Sequence, residues 1–218
     1  MPRIIDVLLS ILALLVLFPL FLPIVIILLL TGEHKVFYLQ NRVGYKNKNF
    51  KIIKFATMLS NSVNMGSGSL TLKNDPRVLP FGSFLRKTKI NELPQILNII
   101  IGDLSIVGPR PQMQVDFEKY SDDIQRKIYN VKPGLTGIGS IIFRDEESLI
   151  SLASENENPH DFYERVIAPY KGELEMWYHS HRSVFLDSQL IFLTAWAVVY
   201  PETRLYEKWF KDLPMRNF

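Results

Sequence analysis

The chain contains no cysteine, which excludes disulfides, thiolate metal sites and cysteine nucleophiles. Its charge imbalance is slight, +3 over 218 residues, too little to mark a nucleic-acid binder, and no nucleic-acid partner is expected. The four histidines, His34, His160, His179 and His181, form no convincing helix-spaced metal pair and read as surface residues. No internal repeat is evident. Two local absences say more. No charged side chain occurs from Val7 to Leu30, and no Asp or Glu occurs between Glu33 and Asp75. The second interval nevertheless holds Lys35, Arg42, Lys46, Lys48, Lys51, Lys54 and Lys73.

The uncharged run is long enough to span about 30 Å of hydrocarbon as a helix. Pro19 and Pro23 interrupt it. They lie four residues apart on one helix face, so their kinks should add into a sharp bend. Arg3 precedes the run and the basic stretch follows it, so a crossing helix would place Arg3 outside against the positive-inside bias. A re-entrant helix–break–helix over residues 1–32 keeps both ends inside, each arm reaching about 18 Å. A cleavable signal peptide fits poorly, since the run is too long and no small-residue cleavage pattern follows. The basic stretch reads as contact with anionic membrane lipid, at roughly 1 kcal/mol per cation near the surface. Leu190 to Tyr200 is too short to span. With Trp196, Tyr200, Trp209 and flanking Lys208 and Lys211 it reads either as an interfacial amphipathic helix or as a core helix.

Residues 33–218 have the size and composition of one domain, with interfacial helices at its C-terminal end. The fold class expected is α+β, mainly α. Lys35–Gln40 and Phe50–Phe55 suggest a short β-hairpin around the polar segment Asn41–Asn49, and the Ser, Asn and Gly of Ser60–Ser69 suggest a mobile loop. Asn91–Ile101 has helical spacing, with Leu93, Ile96, Leu97 and Ile100 on one face and Gly102 as the stop. Further helices are expected over Gln114–Tyr129, Glu146–Ser154, Asp161–Arg182 with a break near Pro169, and Asp187–Tyr200.

The segment from Leu70 to Pro111, LTLKNDPRVLPFGSFLRKTKINELPQILNIIIGDLSIVGPRP, gathers phosphate-handling elements. Arg77, Arg86 and Lys87 precede a helix start near Asn91, where unpaired amides favour an anion. With Asn91 as the cap, Pro94 falls harmlessly in the first turn; with Thr88 as the cap it would kink the helix. Glu92 and Asp103 supply carboxylates near that helix, and carboxylates facing a pyrophosphate call for a cation, most naturally Mg²⁺. Arg110 sits between Pro109 and Pro111, pre-stiffened for gripping a phosphate. Taken singly, each feature is more often a helix cap, a surface ion pair or a proline-stiffened loop.

Together with FKIIKFATM, NDPRV, LRKTKINELPQILN, GDLSIVGPRP, VKPGLTG and FLDSQLIFLTA, this segment resembles the bacterial sugar transferase family, the monotopic polyprenyl-phosphate phosphoglycosyl transferases. The resemblance covers nearly the whole chain. It implies a re-entrant membrane helix with a small cytoplasmic catalytic domain on the bacterial inner membrane. It also implies Mg²⁺ and transfer of a sugar phosphate from a UDP-sugar to polyprenyl (undecaprenyl) phosphate with release of UMP, initiating surface polysaccharide assembly. The family's Asp-Glu pair falls on Asn91 and Glu92, and an amide cannot form an acyl phosphate. Ala56 replaces a common arginine, and IGSIIFRDEES after VKPGLTG also departs from the usual pattern. The roles carried over are catalysis for Glu92 and Asn91, phosphate binding for Arg86, Arg110 and Lys54, and metal binding for Glu92 and Asp103. Asp187 matches a recurring family Asp and reads equally as a packing residue. The competing expectation, raised by Asn91, is a catalytically impaired binding or scaffold protein.

Overall fold

The apolar run forms one helix, α1 (Arg3–Leu30), in the computed structural model of the chain, which describes residues 1–66, 68 and 70–218. Helical geometry continues through Pro19 and Pro23, where the sequence predicts a break. Each proline removes only its own donor, and both lie on the exposed face, so the rest of the ladder persists. Both ends of α1 dock on the same globular body. At the start, the carboxylate of Asp6 accepts from the Ser105 hydroxyl at 2.8 Å and the Ile106 amide at 3.1 Å. Arg3 donates to the carbonyls of Ile99 and Ile100. At the far end, Ile24 and Leu28 pack with Phe55 and Leu85. Between them Leu12, Leu15, Val16, Phe18 and Leu22 face outward, uncovered.

The hairpin is present, with β1 (Phe37–Val43) antiparallel to β2 (Asn49–Phe55) in register from Phe37↔Phe55 to Val43↔Asn49. Pairing runs further into the polar segment than expected, and the turn narrows to Gly44 and a 3-10 turn at Tyr45–Asn47. Alternation gives the hairpin two unlike faces. Phe37, Leu39, Ile53 and Phe55 form one, with Phe55 meeting Phe21 of α1 edge-on at 5.4 Å. Tyr38, Gln40, Arg42 and Lys54 form the other. The hairpin is therefore a wall between the apolar helix and a polar interior.

The Ser60–Ser69 stretch is anchored rather than loose, Ser67 and Ser69 lying outside the described residues. Arg77 is buried and its Nη1 donates to the carbonyls of Ser62, Met65 and Gly68, all at 2.8 Å. Its Nε and Nη2 hold Asp75, and Nη2 also reaches the Leu70 carbonyl. Arg77 thus spends its donors on the chain and serves as a loop clamp, not as the phosphate-binding group its sequence position suggests.

Helix α2 (Pro80–Lys87) was not expected; Pro80 starts it, and its brevity hides any periodicity. Lys89 then adopts left-handed geometry (φ 60°), a 3-10 turn covers Ile90–Glu92, and α3 (Gln95–Ile101) follows, stopped by Gly102 at φ 113°. Asn91 is accordingly inside the first turn and not its cap. The buried face of α3 carries Gln95, Ile96, Asn98 and Ile99, not the apolar face counted from the sequence. Asn98 explains the shift: its amide accepts from Ile53 N at 2.9 Å and donates to Lys51 O at 2.8 Å, satisfying the edge of β2.

A second small sheet pairs β3 (Ser105–Val107) in parallel with β4 (Gly134–Thr136). Between the strands lie α4 (Gln114–Phe117) and α5 (Asp122–Lys127), two short helices where one was expected, because Ser121 begins a fresh turn. Next come α6 (Ile138–Ile142), α7 (Glu146–Ala153) and α8 (Pro159–Phe162). A π turn at Tyr163–Ile167 leads into α9 (Ala168–His181), so Pro169 causes no break: it sits in the first turn of α9, where its missing donor costs little. In α10 (Val184–Val199) Leu186, Leu190, Leu193 and Ala197 join the core, while Phe185, Phe192, Trp196 and Val199 are exposed. One face of this helix therefore belongs to the core, and the other is an uncovered aromatic and apolar surface. Phe192 stacks on Trp196 and on Trp209 of α11 (Leu205–Trp209). Asp187 is buried and accepts from the Tyr178 hydroxyl at 2.8 Å, a packing role.

Candidate active site

The polar face of the hairpin, the Ile90–Glu92 turn and the Gly108–Pro111 segment converge on a cavity of about 190 Å³. Arg42 and Lys54 reach it from the strands, Asn91 and Glu92 from the turn, and Arg110 from the proline-flanked segment. Arg86, Lys89 and Lys171 add cations; Asp116, Glu146 and Glu147 add carboxylates. Six cationic side chains thus face four anionic ones, an excess suited to a multiply charged anion.

Arg110 is held from several sides. Its amide donates to Glu175 Oε1 at 3.3 Å, its carbonyl accepts from the Tyr129 hydroxyl at 2.8 Å, and Tyr129 also receives the Gln112 amide at 2.9 Å. Gly108 lets the segment pass against the β4 approach, since a Cβ there would lie 2.4 Å from the Lys132 carbonyl. The guanidinium then reaches Glu92 Oε1 at 3.3 Å, while Lys54 Nζ stands 4.0 Å from the same oxygen.

These contacts set the charge states. Burial alone would raise the Glu92 pKa, but Arg110, Lys54 and Lys89 outweigh it and hold the carboxyl well below the usual range. Burial lowers Lys54, Glu92 opposes this, and Arg42, Arg110 and Arg86 add to it, bringing the ammonium to about 7. Glu175, buried behind Arg110 with Oε2 unpartnered among the described residues, is raised by desolvation to about 7. Asn91 is buried, and its Oδ1 has no hydrogen-bond partner among the described residues. It is an unspent acceptor at the cavity wall.

Of the residues singled out from the sequence, Glu92, Asn91, Arg110, Lys54 and Arg86 all line this cavity. Arg86 stands at its edge, paired with Glu147. Asp103 does not line it. Asp103 follows the far end of α3, its carboxylate taking a hydrogen bond from Asn98 at 3.3 Å, and the 7 residues of α3, roughly 10 Å of rise, lie between it and the Glu92 turn. Pairing it with Glu92 at a metal is therefore corrected by the helix itself. Among the described residues no three His, Asp or Glu side chains are grouped to hold a metal. Sequence reasoning missed Arg42, which had been counted among the lipid-facing cations. The period-2 alternation that places it on the face of Lys54 was the available signal. Asp116, Glu146 and Lys171 carried no local signal, since distant segments bring them in.

The family model for the bacterial sugar transferase matches residues 1–201. An exopolysaccharide production protein ExoY of Sinorhizobium fredii is 38% identical over 157 residues, covering 66% of this chain and 69% of that protein. A UDP-glucose:undecaprenyl-phosphate glucose-1-phosphate transferase of Xanthomonas campestris pv. campestris is 34% identical over 203 residues, 91% of this chain and 38% of that protein. An undecaprenyl-phosphate galactose phosphotransferase of Salmonella typhimurium is 32% identical over 176 residues, 74% of this chain and 33% of that protein. The chain thus spans roughly two thirds of the first relative, and 38% and 33% of the other two.

Proposed function

We propose that this chain, which belongs to the bacterial sugar transferase family, transfers a sugar phosphate from a UDP-sugar to undecaprenyl phosphate and releases UMP. The observation that carries the reading is the convergence of Arg110, Lys54 and Glu92 on one buried cavity walled off from the apolar helix by the hairpin. Such cations stabilise a transferring phosphoryl group without reorganising. An acceptor phosphate oxygen attacks the sugar-bearing phosphorus, and the bond to the bridging oxygen breaks. UMP leaves with that electron pair. Arg110 and Lys54 hold the diphosphate, Arg86 and Arg42 complete the cationic wall, and Glu92 is the ionised carboxylate of the turn. Asn91 offers a hydrogen-bond acceptor where it cannot serve as a nucleophile.

Mg²⁺ fits this donor set in a restricted way. Mg²⁺ is commonly bound by one or two protein oxygens plus substrate phosphates, and Glu92 with the orphaned Asn91 Oδ1 supplies such oxygens; Asp103 does not. When bound, the ion would neutralise charge on the phosphates.

In this reading the chain sits at the cytoplasmic face of the inner membrane, with α1 re-entrant. Support comes from the docking of both its ends on one body, with its middle bare. The exposed prolines favour a bend convex toward lipid. Purified protein with a panel of UDP-sugars and undecaprenyl phosphate should release UMP with at least one donor; silence across the panel would remove the assignment.

A further inference from the structure

A larger cavity, about 660 Å³, lies beside the first. Thr71, Arg86, Lys89 and Glu147 border both, so the Arg86–Glu147 ion pair stands in the partition. Lys87, Lys89 and Arg144 face the second cavity, and none has a hydrogen bond or ion pair from its side chain among the described residues. Arg144 comes from the FRDEE stretch, whose carboxylates are engaged elsewhere: Asp145 with Arg216 at 3.0 Å, Glu146 with Lys171 at 2.6 Å, and Glu147 with Arg86. Half-buried and unpaired, Arg144 is a cation without a counter-ion, an arrangement that folding alone does not favour.

The rim gives the direction of approach. One edge is the last turn of α2, where exposed Phe84 stacks on Phe81 beside the end of α1. Pro201 to Arg204 and Tyr206 also line the cavity and directly follow Tyr200, which with Trp196 ends the exposed aromatic face of α10. Aromatic side chains in such positions settle at lipid headgroup level. A cationic hollow opening there suits a phosphate monoester carried on a lipid, not a free nucleotide.

We propose that this second cavity receives the phosphate headgroup of the polyprenyl acceptor from the membrane. Arg144, Lys87 and Lys89 bind it, and exchange of Arg86 from Glu147 to phosphate opens the partition toward the sugar-bearing phosphorus. The inference rests on the transferase reading, so its test separates the two. Farnesyl phosphate in detergent micelles and UMP are titrated separately into the full chain and into Arg144→Ala and Lys87→Ala variants, with Lys127→Ala as a remote control. Loss of one charge-assisted contact should weaken farnesyl phosphate on the order of tenfold in each variant and leave UMP unchanged. In turnover, the KM for undecaprenyl phosphate should rise while that for the UDP-sugar holds. Weakened UMP with unchanged farnesyl phosphate would make the cavity a nucleotide site and overturn the proposal. Equal loss of binding to phosphatidylglycerol vesicles would reduce it to a general anionic surface and overturn it too. Failure of the unaltered chain to bind any uridine nucleotide would instead strike the transferase reading, and farnesyl phosphate binding would still decide this one.

Discussion

Lys54 should take up a proton when phosphate binds. Its ammonium is brought to about 7 because it is buried among Arg42, Arg110 and Arg86 with Glu92 as the nearby counter-charge, 4.0 Å away. At pH 8 the free protein therefore carries this site roughly one-tenth protonated. A phosphate entering the cavity adds negative charge within reach and moves the pKa back toward its ordinary value, so the bound state is nearly fully protonated. The expected uptake is roughly 0.9 proton per UDP bound at pH 8, falling toward about 0.5 at pH 7. Calorimetric titration of UDP at pH 8 in two buffers of different ionisation enthalpy measures it directly. Lys54→Arg, charged throughout, should bind with uptake near zero. Equal uptake in the variant, or none in the unaltered chain, would refute the placement of Lys54 at the phosphates. The same depressed pKa fixes a stability trend. Between about 7 and the ordinary lysine value the unfolded chain binds more protons, so this residue's contribution to stability rises with pH across that window.

Glu92→Gln should abolish UMP release in the turnover assay while leaving flotation with vesicles intact, since the exposed apolar faces of α1 and α10 proposed for membrane contact are untouched; retained turnover would remove Glu92 from the mechanism. Arg77→Ala removes the buried ion pair with Asp75 and the side-chain contacts to four carbonyls, and should cost about 3–5 kcal/mol in denaturant unfolding; a cost below about 1 kcal/mol would deny the clamp. Glu175→Gln keeps the acceptor for the Arg110 amide but removes a charge. The native carboxyl, raised to about 7, gives stability that is complete below the ordinary carboxyl range and is lost as pH rises through about 7. The variant should therefore gain up to about 3 kcal/mol relative to the unaltered chain at pH 8 and nothing at pH 4.

What the sequence disclosed follows from how local each determinant is. Alternation in β1 and β2 and the stop at Gly102 act within a few residues, and the hairpin and the end of α3 were legible. Glu92 and Arg110 were legible because one stretch carries both. Asp103 looked equivalent to Glu92 in that stretch, and only the rise of an intervening helix separates them. Arg77 resembled Arg86 in its setting, yet carbonyls of the preceding loop claim it. Asn98 lies on the buried face because a strand edge forty-odd residues earlier needs its amide. Arg144 enters from the turn between α6 and α7, and Lys171 and Glu175 from α9, all long after the motif. No short-range pattern marks them.

In the proposed reaction a phosphorus atom passes from nucleotide to lipid with its sugar attached. It is tested most directly with UDP-sugar carrying radiolabel in the sugar-bearing phosphate, mixed with undecaprenyl phosphate and the purified chain. The label should appear in the lipid fraction in equal amount with UMP. Label remaining in UDP while the sugar alone reaches the lipid, or appearing as free sugar phosphate, would exclude phosphosugar transfer.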